Sequence, residues 1–232
     1  MPTVHATLRI LFAALSMVTS SACAQPKPWS PQWRDTGIVV DGKHTIRTPL
    51  TLVHAGLLHG NRVLLGGYKT SSDGKLEPYI VAVSRDGVTT RQWALSVRTT
   101  AFFLHANRVH GLLYDGQVVE LVHEQWRPSA LKGEVDAHLV SAEALLACSP
   151  RPRAMADQRR GACYTLDGRW RQEVSWQEFE PVLCGPTLYI IEERFVASLR
   201  KRRFFETTID SQSGQLHREQ LPRKPRALRC PK

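Results

Sequence analysis

The chain has 232 residues, with 31 Lys and Arg against 21 Asp and Glu and a formal net charge of +10. That length allows one large domain or two small ones. The charge favours acidic partners such as lipid head groups, anionic polysaccharide or an acidic protein surface, and beyond the first two dozen residues no segment is apolar enough to cross a membrane as a helix.

The opening "MPTVHATLRILFAALSMVTSSACAQ" carries one basic residue, Arg9, then an apolar run from Ile10 to Val18, then small residues ending in Ala22-Cys23-Ala24. A membrane-spanning helix needs roughly 20 apolar residues, so this run is too short. The order of charge, short apolar core and A-x-A ending is that of a secretory signal. Residues 1–24 are therefore expected to be a signal peptide, cleaved to leave Gln25 first, with residues 25–35 as a linker. The alternative is a bacterial lipobox at Ser20-Ser21-Ala22-Cys23, with Ser20 where an apolar residue usually stands and Cys23 as the lipidated residue. After residue 24 the chain keeps 208 residues with 30 basic and 21 acidic side chains, a net charge of +9. Export implies the periplasm or secretion, or an outer-membrane lipoprotein, and argues against nucleic acid as the partner. Contact with a membrane then runs only through an N-terminal lipid anchor.

From residue 36 onward, short apolar runs alternate with turn signals. "TGIVVDGKHTIRTPLTLVHAG" (36–56) holds Asp41-Gly42. "LHGNRVLLGGY" leads through Asp73-Gly74 to "YIVAVS", Arg85-Asp86-Gly87 and "VTTRQWALS". A near copy, "LHANRVHGLLY", leads to Asp115-Gly116 and "QVVELVHEQW". "HLVSAEALLACS" is followed by "GACYTL", Asp167-Gly168 and "RWRQEVSW", and "VLCGPTLYIIEE" by "RFFETTI", a turn from Asp210 to Gly214, and "QLHREQL". Asp-Gly between apolar runs marks a β-hairpin, and in the two-residue turn both central residues take positive φ. Five Asp-Gly dipeptides separating runs of four to eight residues predict an all-β antiparallel meander.

The hexapeptides LHGNRV and LHANRV start at Leu58 and Leu104, and Val140 and Val182 hold the matching places further on, at spacings of 46, 36 and 42 residues. Units of about 40 residues with three or four strands each resemble the blades of a β-propeller. The resemblance spans roughly residues 50–221 and is to the class, since no WD, kelch or quinone-binding signature is present. It implies a small propeller of four or five blades over residues 36–221, with 36–56 completing the last blade, and a basic tail at 222–232. A β-sandwich or half-barrel is the alternative. Gly60, Gly66 and Gly67 are expected to let neighbouring strands approach closely.

Cys148, Cys163, Cys184 and Cys230 remain after the signal, an even number in an exported chain, and so predict two disulfides. Of the three pairings, Cys148–Cys163 within one hairpin and Cys184–Cys230 across the tail are preferred. Spacings of 15, 21 and 46 residues with no C-x-x-C argue against zinc. His54 and His59, like His105 and His110, are five apart and, unless a turn or bulge intervenes, should point to opposite strand faces, so no metal site is expected. Ser72-x-x-Lys75 matches an S-x-x-K pattern but straddles a predicted hairpin tip. Glu178 and Glu180, and Glu192 and Glu193, read as surface carboxylates paired with arginine rather than as an acid and base facing across a cleft. No cofactor is expected. The balance favours a non-enzymatic binding module for a protein partner or anionic envelope component, of inhibitor or immunity type, with Trp93, Trp126, Trp170, Trp176 and Arg200, Lys201, Arg202 and Arg203 as candidate contacts. The alternative is an exported hydrolase or lyase acting on polysaccharide.

Overall fold

The computed structural model describes residues 32–34, 38–41, 44–150, 161–175, 180–196, 199–225, 228 and 230. The segment expected to be the signal peptide, with Cys23, lies outside them. Among the described residues no helix is long and apolar enough to cross a membrane.

The strands form up-and-down antiparallel sheets in chain order. β1 (Gln32–Arg34), β2 (Ile38–Asp41) and β3 (His44–Arg47) make a three-stranded sheet. β4 (Leu52–His59), β5 (Arg62–Thr70), β6 (Leu76–Ser84) and β7 (Thr89–Ala94) make the first four-stranded sheet. β8 (Thr99–His105), β9 (Arg108–Leu113), β10 (Gln117–Val122) and β11 (Gln125–Lys132) make the second. β12 (His138–Ser141), β13 (Leu146–Ser149), β14 (Gly161–Thr165) and β15 (Arg171–Val174) make the third. β16 (Val182–Cys184), β17 (Thr187–Val196), β18 (Lys201–Asp210) and β19 (Leu216–Leu221) make the fourth. Four consecutive four-stranded meanders are β-propeller-like blade repeats. The anchor positions Leu58, Leu104, Val140 and Val182 fall in β4, β8, β12 and β16, the first strand of each repeat, and these first strands are where successive sheets meet. The segment 36–56 does not extend the last sheet: β2 and β3 pair with β1 in a sheet of their own, and β4 opens the first blade.

Period-2 alternation explains why the sheets stack. On β5 and β6, Val63, Leu65, Val81 and Val83 join Ile46, Leu50 and Val53 in one apolar cluster. The intervening Leu64, Ile80 and Ala82 join Ala55, Phe102 and Val109 in another. Each central strand is thus apolar on both faces, as a sheet covered on both sides requires. The pattern repeats: Phe103, Leu112, Val118, Leu145, Ala147 and Tyr164 fill the gap between the second and third sheets. Leu146, Cys148, Cys163, Trp170, Leu188, Ile190 and Ile209 fill the gap between the third and fourth. At about 25 cal/mol per Å² of apolar area removed from water, these layers between sheets supply the main stabilising term.

Two glycines act as expected. A Cβ on Gly67 would lie 1.9 Å from the Leu52 carbonyl oxygen, and one on Gly66 would lie 2.7 Å from Thr99 Cβ at the start of β8. Their bare backbones let the first strands of adjacent blades come close to β5. Gly60, by contrast, has open space around it and serves a turn with φ of +61°.

The Asp-Gly turns differ in detail from the two-residue form. Gly74, Gly87, Gly116 and Gly168 have positive φ, but their aspartates do not. The amide of each glycine bonds back to the carbonyl three residues earlier, at 2.9–3.0 Å. At Gly74, Gly87 and Gly116 these are three-residue loops built on a type I turn closed by a left-handed glycine, while at Gly168 four residues lie between Thr165 and Trp170. The aspartate side chain serves instead as an acceptor: Asp115 takes the Gln117 amide at 3.0 Å and Asp86 the Val88 amide at 3.2 Å. The two-residue turns occur at other sequences, Ala106-Asn107 with φ of 49° and 61° and His123-Glu124 with 47° and 61°.

Both preferred disulfides are present. Cys148 and Cys163 face each other across β13 and β14, with Cα atoms 4.1 Å apart. Cys184 at the end of β16 holds Cys230 of the tail, with Cα atoms 5.5 Å apart.

Candidate interaction surface on the last blade

The repeated hexapeptide lies on the β4–β5 and β8–β9 hairpin turns, not within one strand. His59 pairs with Arg62 and His105 with Arg108 across each turn. Arg62 reaches to the next blade, where its two Nη atoms donate to Glu124 of the β10–β11 turn at 2.9 and 2.5 Å. Glu124 also lies 3.7 Å from Arg91. The hydrogen bond from Arg62 holds the Glu124 carboxyl below its usual pKa. The Glu124 backbone carbonyl accepts from Trp93 Nε1 at 3.1 Å. In the second copy Arg108 pairs within its own blade, with Glu120 at 2.7 Å.

His54 and His59 do share β4, but the β8–β9 turn intervenes between His105 and His110. The chain reversal brings those two rings to 5.9 Å between centroids, so this pair is the case in which a turn intervenes. His110 is buried, stacked on Phe103 at 5.3 Å, with Nδ1 3.3 Å from the Arg108 carbonyl. Burial pushes its pKa below that of a free imidazole. Among the described residues no group of three or more His, Cys, Asp or Glu side chains is placed to hold a metal.

The tryptophans divide by depth. Trp170 is 9% exposed, donates Nε1 to the Ser211 carbonyl at 3.1 Å and covers Gly214. Trp170 is therefore a core residue and not a surface contact, because the Asp210–Gly214 turn closes over it. Trp93 and Trp126 are half-buried and meet edge-to-face at 6.1 Å. That contact joins the first and second blades, and Trp126 also tilts against Phe102 of its own blade at 5.9 Å. Trp176 lies outside the described residues, as does Glu178; Glu180 is exposed.

Glu192 is not a surface carboxylate. It is fully buried between the third and fourth blades. Its Oε1 accepts from Thr207 Oγ1 at 2.5 Å and Arg218 Nε at 2.6 Å. Its Oε2 accepts from the Ser175 amide at 2.9 Å and from Arg194 Nε and Nη2 at 3.1 and 2.9 Å. Burial alone would raise its pKa, but the donors from Arg218, Thr207, Ser175 and Arg194 outweigh that and hold it low. Alternation along β17 could have placed it, since Leu188 and Ile190 carry the same face inward to Glu192. A carboxylate with so many donors is an acceptor held in its ionised form, the opposite of the raised pKa that a general acid requires.

The basic run occupies the β17–β18 turn. Leu199 is 50% exposed, and Arg200, with φ of +49°, and Lys201 are exposed beside it. Arg203 is half-buried; the placement of the Arg202 side chain lies outside the described residues. Phe204 pairs with Leu221, so the chain leaving β19 emerges at this same end. Exposed Arg223 and Lys224 follow, with Lys224 Nζ 5.8 Å from the Phe204 ring. The turn and the start of the tail thus form one positively charged edge with an apolar tip.

No protein-family model and no curated protein sequence matches the chain. Three solved structures are similar in outline. BamB from Moraxella catarrhalis is 11% identical, over 84% of this chain and 70% of that one, with a TM-score of 0.46. The WD40 β-propeller domain of Doa1 is 10% identical, over 80% and 62%, with a TM-score of 0.43. The periplasmic gluconolactonase PpgL of Pseudomonas aeruginosa is 14% identical, over 76% and 71%, with a TM-score of 0.35.

Proposed function

We propose that the protein is an exported, non-enzymatic binding module that holds an acidic protein partner at the free edge of its last blade. The observation that carries this reading is the exposed Leu199 flanked by Arg200 and Lys201 and joined by Arg223 and Lys224. An apolar anchor within a basic rim suits a partner whose acidic side chains surround a small hydrophobic pocket. Two disulfides, one of them tying the tail, fit an oxidising compartment. Glu124 is engaged in an ion pair that joins two blades, and Glu192 in ion pairs within the fourth blade and a bond from the Ser175 amide of the third, which spends them on architecture rather than on acid–base chemistry.

The test is retention of a partner from an envelope extract on the immobilised, disulfide-intact protein. Retention should fall as salt rises and be lost in the double variant Arg200→Glu/Lys201→Glu. Reversing the sign of the exposed Arg127 on β11 should leave it intact. Retention that is indifferent to the double reversal would refute the assignment of the edge. Turnover of a small substrate by the same preparation, with no partner retained, would refute the binding role.

A further inference from the structure

Beside the exposed edge lies a second concentration of positive charge, built differently. Arg194 on β17 and Arg203 on β18 are direct cross-strand partners on the face toward the third blade. Like charges directly opposite each other on a sheet destabilise it. Arg194 and Arg218 both donate to Glu192, and Arg203 stands opposite Arg194 on the adjoining strand, so three guanidinium groups share this face of the sheet with one carboxylate.

The carboxylate cannot serve all three. An ionised carboxylate offers about four lone-pair sites, and Glu192 already accepts from Thr207, Arg218, Ser175 and twice from Arg194. Arg218 spends its Nη2 on the Glu173 carbonyl at 2.9 Å. Arg203 is left over, and its Nε is buried with no hydrogen-bond partner among the described residues. A buried donor with no acceptor costs about 1–3 kcal/mol, and more when the group is charged. Arg194 keeps Nη1 unused by Glu192, and its side chain is 40% exposed, so solvent reaches the Arg194 side of the pair.

We propose that Arg203 and Arg194 form an oxyanion site, in which a carboxylate, sulfate or phosphate group bridges the two guanidinium groups and accepts from Arg203 Nε. Glu192 is the backstop: it fixes the Arg194 plane, and it is saturated, so the remaining donors are left for a ligand. A planar guanidinium presents paired donors that match an oxyanion in two-point contact. Such a ligand also removes the repulsion across β17 and β18 and fills the orphaned donor. Because a free ion and an acidic side chain present the same chemistry, sulfate and acetate are the two probes. The proposal does not depend on the partner edge, since both probes are small and read in isolation.

The experiment is a titration of the disulfide-intact mature protein, followed through the arginine Nε–H resonances. Sulfate should shift the Arg203 Nε–H signal saturably, and the Arg194 signal with it. Sodium chloride at matched ionic strength should not produce saturation. Acetate saturating the same signal marks the site as a carboxylate reader, whereas sulfate alone marks it as selective for a tetrahedral anion; either outcome supports the site. Arg203→Lys, which keeps the charge and loses the fork, should weaken binding at least about tenfold, the equivalent of one charge-assisted hydrogen bond. Arg169→Gln, on an exposed arginine paired with Asp167 at 2.7 Å, should bind as the parent does. The proposal is overturned if neither probe saturates the Arg203 signal. It also fails if chloride reproduces the shift, or if Arg203→Lys binds as tightly as the parent.

Discussion

Replacing Glu192 by glutamine keeps the size of a buried side chain and removes its charge. The carboxylate joins the end of the third blade, through the Ser175 amide, to three positions of the fourth, Arg194, Thr207 and Arg218. Removing one partner of a buried ion pair costs about 3–5 kcal/mol. Arg194 and Arg218 are 40% and 29% exposed, so both regain some water, and a loss of about 2–3 kcal/mol is expected. Urea unfolding of the oxidised protein, with a slope of about 1–3 kcal/mol per molar, should then show the midpoint lowered by roughly 1 M. Exposed Glu219 supplies the control, and its change to glutamine should be near neutral. Acid gives a second reading of the same group. The folded pKa of Glu192 lies below its unfolded value of 4.5. Its contribution is therefore complete above about pH 5 and is lost as the pH falls below 4.5 towards the depressed folded value. The stability curves of the parent and Glu192→Gln should differ most near neutrality and converge in acid. Equal midpoints for the two proteins at pH 7, or curves that stay parallel into acid, would refute the account of Glu192 as the ionised joint between blades.

Three further outcomes follow from named contacts. Ala106 sits at φ of 49° with its side chain exposed, and a left-handed alanine costs about 1–2 kcal/mol, part of which glycine returns as chain entropy. Ala106→Gly should accordingly raise stability by about 0.5–1 kcal/mol, and Gly60→Ala in the sister turn should lower it by a similar amount, both read in urea. Gly67→Ala drives a methyl into the Leu52 carbonyl oxygen. Overpacking costs about 1–3 kcal/mol, and more where backbone must move, so this variant should lose at least about 3 kcal/mol or fail to accumulate as soluble protein. For the disulfides, exposed Cys230 should make Cys184–Cys230 reducible by dithiothreitol before Cys148–Cys163, whose two residues are fully buried. Alkylation and peptide mass mapping at increasing reductant read that order directly.

The architecture was legible because its signals are local and repeated. Leu58, Leu104, Val140 and Val182 recur at the period of one blade, and each lies in the first strand of its sheet. The cysteine pairing was legible because Cys148 and Cys163 flank one hairpin. The turn chemistry was only half legible. Asp-Gly announces a reversal, but whether two or three residues form the loop depends on the register of the flanking strands. That register is set by the core, so aspartate became an acceptor rather than a second left-handed residue. The histidine pairs show the same limit. Five residues along a strand and five residues across a turn read identically, yet His54 and His59 share β4 while His105 and His110 face each other across a hairpin.

The charged residues were the least legible, for a physical reason. A carboxylate and an arginine look alike in sequence whether they are solvated or serve as struts. Which of these they become depends on strands about 25 residues or more away in the chain: Arg62 meets Glu124 on the next blade, and Arg218 meets Glu192 two strands away on its own. Blades packed face to face spend their apolar residues on both surfaces of each central strand, so polar joints such as these must bind the margins. Basic residues in excess of the carboxylates at a margin are then not needed by the fold. Arg200 and Lys201 at the turn, and Arg203 with its buried donor unmet, are such an excess, concentrated on the last blade. The joint at Glu192 is saturated, so positive charge added beside it raises the cost of the fold until an anion arrives. On that reasoning stability and binding are linked: an anion that fills Arg203 should protect the fourth blade in the same titration that detects it.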